Sequence, residues 1–304
     1  MTVPALVTRG LTRRFGGRTA VDDLSIEVQE GDTYGFLGPN GAGKTTAIRC
    51  ILGLIKRDAG DVSIFGESGL AARRHVGAMV ETPAFHGWMS GRANLDRAAA
   101  FAGVGGREDI DRALELVGLK GREEEAVSTY SLGMRQRLGI ARSLVGRPRL
   151  LILDEPTNGL DPRGMKEVRD LLARLARTEK LTIFISSHLL AEIEALCSRV
   201  GIIEDGRMIA EGEVADLLAG RSSVLEVDVG ATDMTALARI APGLPGVALL
   251  GDGAEGRLRL GLEGRTVPQL NRALLEAGID VEALVPVQKS LEELFLALTR
   301  KEVT

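Results

Sequence analysis

Gly38-Pro39-Asn40-Gly41-Ala42-Gly43-Lys44-Thr45 spells G-x-x-x-x-G-K-[ST] without a mismatch. Glycines in such a loop let backbone N–H groups turn inward around an anion, and a helix N-terminus behind them adds positive potential. The flanks agree. Thr33-Tyr34-Gly35-Phe36-Leu37 is a short apolar run, and Thr45 to Leu54 follows with helical spacing. A glycine-rich turn with a chance lysine is the competing reading, and the strand–loop–helix context argues against it. ATP or GTP is the expected ligand, held by Gly38, Pro39, Asn40, Gly41, Ala42, Gly43, Lys44, Thr45 and Thr46. Lys44 should reach the β- and γ-phosphates, and the Thr45 hydroxyl should ligate Mg²⁺.

Further along, Leu150-Leu151-Ile152-Leu153 runs into Asp154-Glu155, an apolar strand ending in two acids. Ligands of open α/β sheets bind at such carboxyl ends, which suits Asp154 to the Mg²⁺ shell. Glu155, one residue on, suits a general base for an attacking water. Leu181-Thr182-Ile183-Phe184-Ile185 is a second continuous apolar run, as strands buried on both faces should be. Between the two, Met165, Val168, Leu171, Leu172 and Leu175 share one helix face. Glu204-Asp205-Gly206-Arg207 separates two apolar runs as a hairpin turn would. The alternation predicts an α/β fold, a mostly parallel sheet flanked by helices, with a strand-free helical insertion from about Pro83 to Arg147.

The chain has 304 residues, 38 basic and 42 acidic, for a net charge of −4. Mild acidity without a basic stripe argues against nucleic acid as a partner. The longest stretch free of Asp, Glu, Lys and Arg is twelve residues, Ile240 to Gly251, short of the roughly 20 that a membrane span needs. No secretory signal follows Met1, and Cys50 and Cys197 lie far apart, so a reducing cytosol is expected. The acidic surplus falls wholly in residues 222–304, which carry 8 basic and 12 acidic groups. Ala219-Gly220-Arg221-Ser222-Ser223 reads as a linker, placing a domain boundary at Arg221. Beyond it, strand 223–229, helix 233–240, strands near 247–250 and 257–262, helix 266–277, strand 280–287 and helix 290–300 suggest a small α+β, ferredoxin-like βαββαβ domain.

Tyr130-Ser131-Leu132-Gly133-Met134-Arg135-Gln136-Arg137 precedes an apolar helix stopped by Pro148. Alone, it reads as a serine N-cap, or as Ser131 and the Gly133 backbone presenting a second anion-binding helix end. The string resembles the signature motif of ATP-binding cassette (ABC) ATPases, usually LSGGQ followed by QR. Ser131 and Gly133 match it, while Leu132 replaces a glycine and Met134 the glutamine. The resemblance implies the P-loop NTPase fold of an ABC nucleotide-binding domain, with a mixed sheet core, and covers residues 4–218. It implies that Ser131, Leu132, Gly133 and Met134 cap ATP held by a partner's P-loop. Asn158-Gly159-Leu160-Asp161 resembles the D-loop that links the two sites of a dimer, and Ser187-His188 the switch histidine at the γ-phosphate. Phe15 matches the aromatic that stacks on adenine, its alternative being a core phenylalanine.

At the start of the insertion the family usually carries glutamine, where this chain has Glu81. Glu81 is expected to keep that residue's task in catalysis, reaching Mg²⁺ directly or through water. With Phe85, Trp88 and Gly91-Arg92-Ala93-Asn94-Leu95, it resembles the bacitracin- and lantibiotic-type exporters. Lys289 to Thr299 is similar to the tails of drug- and polyketide-exporting relatives, although Leu291, Leu294, Phe295 and Leu298 could equally pack on their own domain. The resemblance implies an exporter's ATPase subunit, cytoplasmic and peripheral at the inner membrane face, dimeric, bound to a separate integral permease. Trp88 is a candidate for that contact. A soluble ABC ATPase acting on DNA or the ribosome is the alternative. Only 85 residues, without sustained heptads, separate the phosphate loop from the signature, and the chain holds one cassette.

Overall fold

Thr33–Leu37, Leu150–Asp154 and Thr182–Ser187 are buried at every position, so each needs cover on both faces and a strand on both edges. The computed structural model, which describes residues 3–219 and 224–287 together with 291, 292, 294 and 295, supplies both within the first of two compact units, Met1–Val214. This unit begins β1 (Leu6–Phe15), β2 (Arg18–Val28), β3 (Thr33–Leu37), α1 (Lys44–Ile51), β4 (Ala59–Ile64) and β5 (Val76–Met79). The helical stretch follows as α2 (Gly91–Ala102), α3 (Arg107–Leu116) and α4 (Leu132–Leu144). The chain then returns through β6 (Leu150–Asp154), α5 (Pro162–Thr178), β7 (Thr182–Ser187), α6 (Leu190–Leu196), β8 (Arg199–Glu204) and β9 (Arg207–Glu213), and α7 (Val214–Ala219) starts at the division between the units.

Six strands form one sheet in the order β5-β6-β7-β3-β8-β9, parallel except for the β8–β9 hairpin. That hairpin turns on Asp205 and Gly206, both with positive φ (45° and 82°), as a two-residue type I′ turn requires. A second sheet, β2-β1-β4, is wholly antiparallel and departs from the expectation of one mostly parallel sheet. Leu24 to Val28 of β2 alternates plainly, but β1 hides from a simple alternation because Thr8 and Thr12 point inward. The Thr8 hydroxyl compensates by donating to Leu24 O at 3.1 Å and accepting from the Ile26 N–H at 2.9 Å. Helix α1 joins the layers. Its Ala47, Ile48 and Ile51 share one core with Leu6 and Leu24 of the antiparallel sheet and Phe36, Ile152 and Phe184 of the mixed one. Tyr34 and Phe184 stack at 5.4 Å across neighbouring strands.

The second unit, Ala215–Thr304, contains β10 (Val224–Ala231), α8 (Met234–Ile240), β11 (Val247–Asp252), β12 (Leu258–Glu263), α9 (Val267–Glu276) and β13 (Val281–Pro286). Its four strands are antiparallel in the order β11-β12-β10-β13, with Val227, Val229, Leu260 and Leu262 packed against Leu237, Leu270 and Leu274. The division after Val214 falls before the expected boundary at Arg221. Val214 is buried, and its N–H donates to Ser198 O at 2.9 Å, so packing rather than charge bias sets the edge. Residues 220–223 of the expected linker, and all of the expected helix 290–300 except 291, 292, 294 and 295, lie outside the described residues.

Asp228 is buried in β10 opposite Arg259 of β12. Its Oδ1 accepts from Arg259 Nε at 2.9 Å, and its Oδ2 from the Ala254 N–H at 3.0 Å. The Arg259 hydrogen bond, prevailing over burial, holds this carboxyl below the ordinary carboxylate range. With the folded pKa below the unfolded one, the stabilisation is complete above about pH 4 and is lost as pH falls through the folded value. Asp228→Asn should therefore cost about 2 kcal/mol at neutral pH. Thermal melts of the two full-length chains should draw together as the pH is lowered from neutral through the folded pKa of Asp228; a gap unchanged across that range would remove the ion pair as its cause.

Candidate active site

Strands β6, β7 and β3 are parallel neighbours, so their carboxyl ends, and the segments leaving them, come together at one edge of the sheet. The segment after β3 is the glycine loop. Gly43 has φ 105°, and a Cβ there would lie 2.3 Å from Ala20 O, so only glycine closes the loop against β2. Lys44 follows at once as the first residue of α1 and is buried. Its Nζ donates to Gly38 O at 2.7 Å and Pro39 O at 3.1 Å, and pairs with Glu155 Oε1 at 3.2 Å. Ala42 is buried beneath the loop and accepts from the Gly206 N–H at 2.9 Å.

Asp154 is 2% exposed. Both its oxygens are engaged, Oδ2 by the Thr45 hydroxyl at 2.8 Å and Oδ1 by the Ser186 hydroxyl at 2.5 Å. Glu155 leaves the strand with φ 50°, in the left-handed region. Its N–H donates to Ser186 O at 3.2 Å and Ser186 Oγ at 3.1 Å. His188 Nδ1–H donates to Glu155 Oε2 at 2.6 Å. A carboxylate can only accept, so Nδ1 carries the hydrogen and Nε2 remains as the ring's second polar atom.

A cleft of about 660 Å³ overlies these groups, lined by Phe15, Asn40, Gly41, Gly43, Lys44, Thr45 and Thr46 on the loop side and by Glu81, Asp154 and Glu155 opposite. Its size is that of an ordinary small-ligand site. Phe15 is 48% exposed, with the Arg13 guanidinium 4.3 Å from its ring centroid, which excludes the reading as a core phenylalanine. Glu81 has φ 62° and a side chain 63% exposed, paired with Arg49 of α1 rather than with Thr45 or Asp154. Ser131, Leu132, Gly133 and Met134 open α4 and are not among the residues that line this cleft. Ser131 is exposed and caps that helix by accepting from the Met134 N–H at 3.2 Å. Asp161 does the same for α5, accepting from the Gly164 N–H at 2.9 Å. Gln136 and Asn158 also line the cleft. They stand inside motifs quoted above, yet only their position in space singles them out.

The ABC transporter family profile matches residues 21–158. The chain is 42% identical to the bacitracin transport ATP-binding protein BcrA of Bacillus licheniformis, over 96% of each. It belongs to the ATP-binding subunits of ABC transporters. This ABC ATPase is also 34% identical to the daunorubicin resistance ATP-binding protein DrrA3 of Streptomyces coeruleorubidus, over 98% of this chain and 97% of that one. Among solved structures, the ADP conformation of MJ1267, an ATP-binding cassette of an ABC transporter, matches with a TM-score of 0.64 at 25% identity. That match covers 72% of this chain and 96% of the other. The chain thus binds ATP and is an ATPase.

Stacking of a base on an aromatic ring contributes about 1–3 kcal/mol. Phe15→Ala should therefore weaken ATP binding roughly tenfold while hardly moving the melting temperature, because the ring is half exposed. Equilibrium titration with an ATP analogue checks the first expectation and a thermal melt the second. Unchanged affinity would remove Phe15 from the site.

Proposed function

We propose that this ABC ATPase powers the export of an antibiotic, peptide or other drug-like compound through a separate membrane permease. The observation that carries the hydrolytic part is the meeting of Lys44 and Glu155 beside the Thr45–Asp154 pair in one cleft, with His188, outside the lining residues, bonded to Glu155. The direction of transport and the class of compound rest on relatives named for bacitracin transport and daunorubicin resistance. Among the described residues no helix is long and apolar enough to cross a membrane. In this reading the chain is cytoplasmic and is held at the membrane by its permease.

Phosphates entering the cleft compete for the three donors of Lys44, which now serve Gly38 O, Pro39 O and Glu155. Glu155 Oε1, released from Lys44, accepts a proton from the attacking water, while its Oε2 stays on His188 Nδ1. His188 Nε2 is then the ring atom for the γ-phosphate. Thr45 Oγ1 and Asp154 Oδ2, 2.8 Å apart, are the hard oxygen donors that suit Mg²⁺, and Glu81 could join them directly or through water. When bound, Mg²⁺ neutralises charge that develops on the phosphates.

Ser131 to Met134 stand outside their own chain's cleft, which supports their use on the ATP of a second copy in a head-to-tail dimer, with Asp161 beside the junction. The first unit, Met1–Val214, then serves as the ATP-binding domain, with its helical part at about 83–147, and the second, Ala215–Thr304, as an accessory domain. For the permease contact we favour Trp88, 79% exposed, and a second, largely apolar cleft of about 500 Å³ lined by Cys50, Ile51, Leu54, Leu70 and Val80. Val80 lines that cleft and Glu81 the first. The Glu81–Arg49 pair therefore lies where the state of one could reach the other.

Glu155→Gln keeps size and removes the proton acceptor. Turnover should fall at least about 100-fold, and the variant should elute as a dimer with MgATP and as a monomer without it. Unimpaired turnover would take Glu155 out of this role. For Glu81, the glutamine variant should retain ATP binding and most hydrolysis, whereas alanine should lose turnover and coupling. If alanine matches wild type at every Mg²⁺ concentration, with transport intact, Glu81 is only a loop residue.

A further inference from the structure

Glu192 stands in the first turn of α6 and is 6% exposed. Its Oε2 accepts from the Thr157 hydroxyl at 2.7 Å and the Ser187 hydroxyl at 3.4 Å, while Oε1 has no hydrogen-bond partner among the described residues. A buried carboxylate with one oxygen unsatisfied is costly. Helix capping does not account for it, since α6 has no side-chain cap.

The two hydroxyls it gathers explain more. Thr157 comes two residues after Glu155, and Ser187 directly before His188. The β6–β7 ladder ends at Asp154 opposite Ser186, so the segments that carry Glu155 and His188 diverge beyond strand pairing. Glu155 is still tied to Ser186 through its N–H. Past that point Glu192 joins one segment to the other by its side chain, and Ser187 Oγ extends the link by accepting from the Leu189 N–H at 3.0 Å. A displacement of about 1 Å at a reacting group can cost on the order of 100-fold in rate, so a tie at this place has leverage on hydrolysis.

We propose that Glu192 is a positioning residue, whose carboxylate clamps residues 155–157 to 187–188 so that Glu155 and His188 keep their register. The proposal rests on the reading of Glu155 and His188 given above. Glu192 acts through Thr157 and Ser187 and is not among the residues lining the nucleotide cleft.

The test compares Glu192→Ala, Glu192→Gln and Thr157→Val in the full-length chain. It measures steady-state ATP hydrolysis, affinity for a fluorescent non-hydrolysable ATP analogue with Mg²⁺, and melting temperature. Glu192→Ala should lower kcat 10- to 100-fold, about what a shift of up to 1 Å costs, with analogue affinity within about twofold of wild type. Thr157→Val should move in the same direction by less. Glu192→Gln should keep more than half of kcat, because its amide oxygen can still accept both hydroxyls. Wild-type kcat in the alanine variant overturns the clamp, as does a glutamine variant that fails equally or an affinity loss that tracks the loss of kcat. Should the alanine variant not fold, Thr157→Val decides, and an unchanged kcat there overturns the proposal. Glu155→Gln run alongside separates the two readings. Full turnover in that variant removes the base itself, whereas impaired turnover there with wild-type rates at Glu192 and Thr157 removes only the clamp.

Discussion

Two acids in consecutive positions at the end of β6 must face different partners, and the rest of the site is arranged around that demand. Asp154 stays in the strand, fully buried, with one oxygen on Thr45 and the other on Ser186. Glu155 escapes the same surroundings by turning into the left-handed region, a conformation that costs a non-glycine residue roughly 1–2 kcal/mol. Ser186 offsets that cost, since its carbonyl and hydroxyl oxygens both accept from the Glu155 N–H while the hydroxyl's own hydrogen goes to Asp154. Lys44 supplies the compensating charge at 3.2 Å. One serine and one lysine thus let neighbouring carboxylates do separate work.

The parts of this site that were legible in the sequence are those whose chemistry is local. The glycine loop, the apolar run into Asp154-Glu155 and the Asp-Gly hairpin each carry their explanation within a few residues, and each lies where that explanation puts it. What escaped depends on pairing across long separations. β1 finds β4 more than forty residues later, and its inward threonines break the pattern that would have announced a strand. Glu192 was invisible for a related reason. A glutamate in a short helix reads as a solvated side chain until Thr157 is brought against it. Glu81 shows the reverse. Its placement at the cleft followed from the motif order, but its partner, Arg49 on α1, did not.

The second unit repeats this lesson in miniature. Its strand and helix succession could be read from alternation and turn residues, and the sheet order β11-β12-β10-β13 is what a βαββαβ chain produces. Its edge could not be read in the same way. A surplus of acidic residues describes solvent-facing positions, whereas a boundary is made where buried contacts stop, here after Val214.

The position of β3 between β7 and β8 has a bearing on how such a chain is made. The phosphate loop is encoded near residue 38, but both strands that hold its leading strand in place lie beyond residue 180. At ordinary ribosomal rates that interval amounts to roughly ten to thirty seconds. Throughout it the loop has no sheet to project from. The strand Thr33–Leu37 can meet the apolar side chains of β1, β2 and α1 early, but its backbone N–H and C=O groups must wait for both of their pairing partners.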